Sequence, residues 1–186
     1  MQTKNEIRRE FKLKRLEMNT FDCDKLSDMI CNKIINLKCY KQASNILMYS
    51  SIQNEVNLHK LLTHASSLEK NIYLPKVDGD NMEFYKLTSL SELQIGSYNI
   101  LEPPQGQLYN NSPDSIILIP GIAFSVNGAR IGFGKGYYDR YLSQKAFIAK
   151  IGVAYEWQTV RQWNTNKFDI NMDMIVTENR EVYVNE

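Results

Sequence analysis

Residues 115–120 read Ser-Ile-Ile-Leu-Ile-Pro, a continuous apolar run of strand length. A strand wetted on one face alternates apolar and polar residues. A strand with no polar side has to be covered on both faces. FIAKIGVAY (147–155) is a second run of this kind. The chain therefore needs a sheet whose inner strands lie between two other layers. Helical patterns to supply those layers are present. Residues 2–18 are rich in Lys, Arg, Glu and Leu without Gly or Pro, which predicts a helix with a thin apolar stripe at Ile7, Phe11 and Leu13. Asp22 is the predicted N-cap of a second helix reaching Leu37, with Leu26, Ile30 and Ile34 four apart on one face. Asn57 can cap a third through Leu62, and YYDRYLSQK (137–145) can form a fourth. Shorter strands are predicted at 45–50, 71–77, 82–87, 174–178 and 181–184. The alternation predicts a single-domain three-layer α/β/α fold over residues 1–186, with a mixed, mostly parallel central sheet. In such folds ligands sit outside the carboxyl ends of the strands.

The segment after the 115–120 strand lies in that zone. GARIGFGKGYYDR (128–140) carries glycines at 132, 134 and 136, with Lys135 between the last two. The spacing is neither the Walker pattern nor the dinucleotide fingerprint. Its physics still suits an anion, because glycines let successive N–H groups turn toward one concavity. A helix starting at Tyr137 would add free N–H groups, and Arg130 and Lys135 would add charge. A phosphate nest beside a carboxylate, here Asp139, suggests Mg²⁺. The residues alone also fit a tight crossover loop with no ligand. GSYNILEPPQGQLYNNSPDS (96–115) holds three of the five prolines and is long for a connection inside a compact domain, which marks it as functional or poorly ordered.

Charge and cysteine usage narrow the field. With 22 Lys and Arg against 21 Asp and Glu, the net charge of +1 offers no global field for a polyanion, so a nucleic-acid partner is not expected. Cys23, Cys31 and Cys39 are evenly and widely spaced, which suits reduced structural thiols rather than a disulfide framework or zinc site. His59 and His64 lack a metal-hydrolase motif. No apolar run approaches the ~20 residues of a bilayer span, and the charged N-terminus lacks a signal peptide's apolar stretch. A cytoplasmic location without membrane partners is expected.

PGIAFSVNGARIGFGKGYYDRYL (120–142) resembles the signature of the 5-formyltetrahydrofolate cyclo-ligases, also called methenyltetrahydrofolate synthetases. Ile131 stands where Leu is usual, and Ser125 where Asp is common. Other landmarks follow the family's order: Lys4-x-x-x-Arg8, then Tyr49 with Glu55-Val56, Leu-Pro-Lys (74–76), Glu-Pro (102–103), and Asp169-x-x-x-Asp173 before Thr177-Glu178. The resemblance spans nearly the whole chain.

That resemblance implies an enzyme whose small-molecule substrates are 5-formyltetrahydrofolate and ATP, with Mg²⁺ as cofactor; a monomer is expected. In similar enzymes the formyl oxygen takes the γ-phosphoryl group, N10 attacks the activated carbon, and phosphate leaves. Residue by residue, the resemblance implies ATP binding by Lys4, Arg8, Arg130, Gly132, Gly134, Lys135, Gly136, Tyr137, Tyr138 and Asp139. It implies folate binding by Ser50, Glu55, Tyr98, Phe133, Gly134, Lys135, Gly136 and Tyr137. Lys135 and Arg130 are the implied catalytic pair, and Asp139 and Asp169 the implied metal ligands. Without it, Lys4 and Arg8 fit a solvated basic helix face shared with Lys12 and Arg15. Glu55 then reads as a carboxylate before a helix, Tyr98 as a loop tyrosine, and Asp169 as a loop carboxylate. Trp157 and Trp163 read as packing residues.

Overall fold

The computed structural model describes residues 2–161, 163 and 169–184; the residues numbered 1, 162, 164–168, 185 and 186 lie outside them, including Lys167 and Phe168 ahead of Asp169. The chain begins with α1 (Lys4–Leu16), α2 (Thr20–Asn36) and the short α3 (Lys38–Gln42), followed by β1 (Asn45–Leu47) and α4 (His59–Ser67). A hairpin of β2 (Asn71–Asp78) and β3 (Asn81–Lys86) leads to a second, smaller one, β4 (Gln94–Ile95) with β5 (Leu101–Glu102). Then come β6 (Ser115–Pro120), β7 (Ala123–Ser125), β8 (Arg130–Ile131), α5 (Tyr137–Leu142), β9 (Ala149–Val153), β10 (Thr159–Val160), β11 (Met174–Val176) and β12 (Glu181–Tyr183).

Among the described residues the main sheet has seven strands in the order β12-β11-β9-β6-β1-β2-β3. The β11-β9-β6-β1-β2 stretch is parallel, and the β11-β12 and β2-β3 hairpins close its two edges antiparallel. Successive side chains of the inner strands take opposite faces. Ile46, Ile72, Ile116, Leu118, Ile151 and Val176 pack with Ile30 and Ile34 of α2, Tyr40 of α3 and Leu61 of α4. Leu47, Tyr73, Ile117, Ile119 and Ile175 pack on the other side with Tyr141 and Leu142 of α5 and with Phe124 of β7. The expected three layers and mostly parallel sheet are present. No helix among the described residues is long and apolar enough to cross a membrane.

Several local expectations shift. Asn19, not Asp22, is the N-cap of α2: its side chain accepts from Asp22 N at 2.8 Å and donates to the Asp22 carboxylate at 2.6 Å. Leu58, not Asn57, is the N-cap of α4 and makes no side-chain cap bond; Asn57 Oδ1 accepts from His59 N at 3.0 Å just ahead of it, and α4 runs on to Ser67 rather than stopping at Leu62. α5 ends at Leu142, short of the expected Lys145. The buried stripe of α1 is Ile7, Phe11 and Arg15; Leu13 is 55% exposed and belongs to the surface.

A second, three-stranded sheet, β10-β7-β8, had no periodic signal because its strands are two or three residues long. It packs against Ile7 and Phe11 of α1 through Ile122, Ala123, Ala129 and Ile131. Ile131, the departure from the usual Leu, is buried there. Ser125 is buried at the β7–β8 turn, where its Oγ accepts from Ala129 N at 3.1 Å. An aspartate side chain can accept the same turn N–H, which accounts physically for a serine at this position.

Phe124 links the two sheets. Its ring is wedged between Gly121 and Gly152, and a Cβ on either glycine would come within 2.6 Å of it. Gly152→Ala is therefore expected to destabilise the protein by about 1–3 kcal/mol through overpacking, read as a fall in denaturant midpoint. The double variant Gly152→Ala/Phe124→Leu should recover part of the loss.

Candidate active site

The sequence between β6 and β9 builds one wall of the site, and its three glycines serve different ends. Gly134 and Gly136 have φ of +100° and +71°, a region that favours glycine. Gly132 leaves space for a neighbour: a Cβ there would lie 2.5 Å from Arg130 Nη1. Gly136 is the N-cap of α5 and offers no side-chain cap, so the first N–H groups of that helix have no side-chain acceptor at the cap.

Arg130 is 8% exposed. Its Nη2 donates to Asp139 Oδ2 at 3.1 Å, its Nη1 to Pro120 O at 3.4 Å, and its guanidinium lies 5.2 Å from the centre of the Tyr138 ring. Asp139 Oδ1 accepts from Ile170 N at 3.5 Å, which brings the backbone next to Asp169 beside it. Asp169 Oδ2 in turn pairs with Lys4 Nζ at 2.5 Å. Lys135 is exposed, and among the described residues its ammonium has no partner; its carbonyl accepts from Arg140 Nη1 at 2.9 Å.

α1 lies along this segment and presents one cation after another to it. Lys4 meets Asp169. Arg8 Nε donates to Gly132 O at 3.0 Å, and Lys12 Nζ sits 4.7 Å from the centre of the Phe133 ring. Arg15 reaches the far end, with Nη1 at 3.5 Å from Glu55 Oε1 and its guanidinium 5.5 Å from the Phe133 ring centre. From Lys4 to Arg15 the helix spans about 16 Å. The basic row is thus a rail joining the two aspartates to Glu55, and Arg15 at its end is 2% exposed rather than solvated.

Glu55 sits in a tight loop after β1, where Gln53 and Asn54 take left-handed conformations. Asn54 Nδ2 donates to Arg15 O at 3.0 Å and Met18 O at 2.9 Å, pinning the loop to the end of α1. Glu55 Oε2 accepts from Ile52 N at 3.2 Å. Burial pushes the Glu55 carboxyl up to about 7, against the pull of Arg15 and the Ile52 N–H. Ser50 Oγ donates to Leu101 O at 2.6 Å on the rim of a cleft of about 390 Å³ lined by Ile52, Leu58, His59, Asn99 and Leu101. This cleft opens beyond the carboxyl end of β1, as expected for such a sheet.

The long 96–115 stretch begins on the β4–β5 hairpin. Glu102, 4% exposed, is tucked beneath Gly96, pairs with Lys76 Nζ at 3.5 Å and accepts from Val77 N at 3.3 Å. Leu-Pro-Lys and Glu-Pro are therefore two halves of one anchor. Tyr98 is 58% exposed, and its hydroxyl meets Tyr137 OH at 3.1 Å, while Tyr137 OH donates to Gly79 O at 3.0 Å. The glycine segment, Lys4, Arg8, Asp139 and Asp169 form one continuous surface. Glu55 joins it through Arg15 and Phe133, Tyr98 joins through Tyr137, and Ser50 borders the adjoining cleft. Lys12, Arg15, Lys76 and Glu102 had no role assigned from sequence. The signal for Arg15 was its spacing, since it continues the four-residue interval of Ile7 and Phe11.

Among the described residues no three His, Cys, Asp or Glu side chains converge as a metal cage. Asp139 and Asp169 are hard oxygen donors in one locality, each already held by a cation. That donor set suits Mg²⁺, which takes one or two carboxylates and completes its shell with phosphate and water.

Residues 1–178 match the 5-formyltetrahydrofolate cyclo-ligase family. The chain is 29% identical to the 5-formyltetrahydrofolate cyclo-ligase of Haemophilus influenzae over 94% of its own length and 98% of the relative's. It is also 29% identical to the probable 5-formyltetrahydrofolate cyclo-ligase of Schizosaccharomyces pombe, covering 86% of this chain and 87% of that one. Among solved structures it is similar to the 5,10-methenyltetrahydrofolate synthetase of Aquifex aeolicus, with a TM-score of 0.88 and 33% identity over 98% of this chain and 93% of the other. The corresponding enzyme of Mycoplasma pneumoniae gives a TM-score of 0.78 and 26% identity, covering 95% and 99%.

Proposed function

The chain belongs to the 5-formyltetrahydrofolate cyclo-ligase family, and from that premise we propose that it closes 5-formyltetrahydrofolate to 5,10-methenyltetrahydrofolate at the expense of ATP. The observation that carries the proposal is the α1 rail, which runs from the Asp139–Asp169 locality past the glycine segment to Glu55. A phosphate-binding end and a buried carboxylate end on one rail suit a reaction that joins a nucleotide to a pterin.

A formamide oxygen is a poor leaving group. Transfer of the γ-phosphoryl group to it breaks the bond to ADP and leaves carbon double-bonded to N5 as an iminium. N10 then attacks that carbon, N10 loses its proton, and the C–O bond breaks with phosphate as leaving group. Little covalent work falls to the protein, so its contribution is positioning and charge stabilisation. Arg130 is suited to a forked contact with phosphate oxygens. Lys135, on a glycine-flanked backbone, is suited to the charge that develops on the transferring group. Lys4 and Arg8 hold the phosphates from the α1 side. Asp139 and Asp169 would hold Mg²⁺, which when bound neutralises charge on the phosphates.

On the folate side, Glu55 accepts from the pterin's N–H groups, Phe133 and Tyr98 cover its faces, and Ser50 borders the same cleft. The exposed Tyr98 hairpin is suited to close over substrate. The proposal carries with it a single domain, a cytoplasmic location and action as a monomer on two small molecules.

The test is a coupled assay on the purified protein with 5-formyltetrahydrofolate and MgATP, following methenyl absorbance and ADP together. One-to-one formation that requires both nucleotide and metal supports the proposal. Nucleotide binding without methenyl product would leave the phosphate site and reject the acceptor.

A further inference from the structure

A buried arginine is costly unless its hydrogen bonds and charge are met. Arg15 is 2% exposed, yet its guanidinium is held loosely: Nη1 reaches Glu55 Oε1 and Gly121 O at 3.5 Å each, and Nε has no partner among the described residues. Its surroundings are better fixed than its contacts. Asn54 binds the carbonyl of Arg15 itself, so the loop bearing Glu55 is locked to the helix bearing Arg15. The guanidinium also faces the ring of Phe133 at the centre of the glycine segment. Such a cation contributes little to fold stability for what its burial costs, which points to a role at the site.

We propose, resting on the folate reading above, that Arg15 is a positioning residue for the pterin: it keeps Glu55 ionised and aimed, and ties that carboxylate to the glycine segment through Phe133. The titratable and charged groups facing Glu55 are Arg15 from α1, Tyr49 after β1 and Tyr138 from α5. Burial pushes both phenols upward, away from neutrality, so Glu55 is the group of this wall that titrates there and Arg15 is the cation that opposes its protonation. An opposite charge at this range favours the ionised carboxylate by about one to three pH units. A pterin's amino-pyrimidine edge presents paired donors, and both carboxylate oxygens must accept to meet them.

The experiment compares wild type, Arg15→Met and Arg15→Lys in two ways. Carboxyl-carbon NMR on glutamate-labelled protein without substrate reads Glu55 directly. The expected result is a midpoint near neutrality in wild type, higher by about one pH unit or more in Arg15→Met, and largely restored in Arg15→Lys. Steady-state kinetics should show kcat/KM for 5-formyltetrahydrofolate at pH 7 falling by about 5- to 50-fold in Arg15→Met, mostly in KM, with KM for ATP unchanged and partial rescue in Arg15→Lys. Thermal melts confirm that each variant folds, and Arg15→Lys keeps the test open where Arg15→Met does not. A folded variant with an unmoved Glu55 midpoint overturns the proposal, as does a shifted midpoint with unchanged folate KM. If wild type itself fails to turn over the folate, the functional reading fails and takes the pterin role with it. The NMR titration distinguishes that outcome from an uncoupled pair.

Discussion

Lys135→Ala is expected to lower kcat by about 10²–10³-fold while leaving KM for 5-formyltetrahydrofolate within about threefold of wild type. The magnitude is that of removing one preorganised charge from a transition state, about 3–4 kcal/mol. The direction follows from where the side chain stands. Lys135 is exposed and among the described residues unpartnered, and it lies between glycines whose positive φ values shape the backbone without reference to the lysine. Its removal should change stability by less than about 0.5 kcal/mol, so lost turnover would not be lost fold. Arg130 offers no such clean test, because it is buried and paired with Asp139; its truncation would leave that carboxylate short of a partner. The measurement is steady-state kinetics at saturating MgATP, with a melt of each variant. An unchanged kcat would remove Lys135 from the phosphoryl-transfer step and shift that role to the α1 cations.

How much of this was legible in the sequence depends on the range of the interaction. The inner strands were, because burial on both faces leaves an apolar run that no neighbour has to explain. The 115–120 strand appears with its expected bounds as β6. The β10-β7-β8 sheet was not, because strands of two or three residues carry no periodicity and exist through pairing across the chain. The glycine segment stood out, but its reasons differ by position: backbone sign at Gly134 and Gly136, and space for the Arg130 side chain at Gly132. Arg15 was hidden among like charges. Lys4, Arg8, Lys12 and Arg15 read as one basic face; the one sign in the sequence is that Arg15 continues the interval of Ile7 and Phe11, and the position of Glu55 gives that buried member its partner. Lys76 and Glu102 lie in separate stretches of sequence, and only the β4–β5 hairpin brings them together as one anchor.

Glu55→Gln is expected to raise KM for 5-formyltetrahydrofolate by about 10- to 100-fold, the loss of a charge-assisted pair of hydrogen bonds worth about 1.5–3 kcal/mol, with KM for ATP unchanged. In wild type, burial sets the Glu55 carboxyl at about 7. The ionised form is the one that can accept twice. As pH falls through that value the ionised fraction falls, and log kcat/KM for the folate should drop with it toward a slope of one. Glu55→Gln has no carboxylate to take up a proton, so this acid limb should vanish while limbs belonging to other groups remain. The amide also leaves Arg15 buried without its carboxylate, and breaking such a pair from one side costs about 3–5 kcal/mol. A lower melting temperature in Glu55→Gln is therefore expected and does not by itself speak to binding. The double variant Arg15→Met/Glu55→Gln separates the two effects. With neither charge left to bury, stability should return toward wild type, because a matched neutral pair avoids the desolvation penalty. Folate KM should stay high, because the acceptor pair is still missing. Recovery of both together would mean that Glu55 and Arg15 serve only the fold. Recovery of stability alone would place this ion pair, buried at a net cost to the folded state, in the service of substrate recognition.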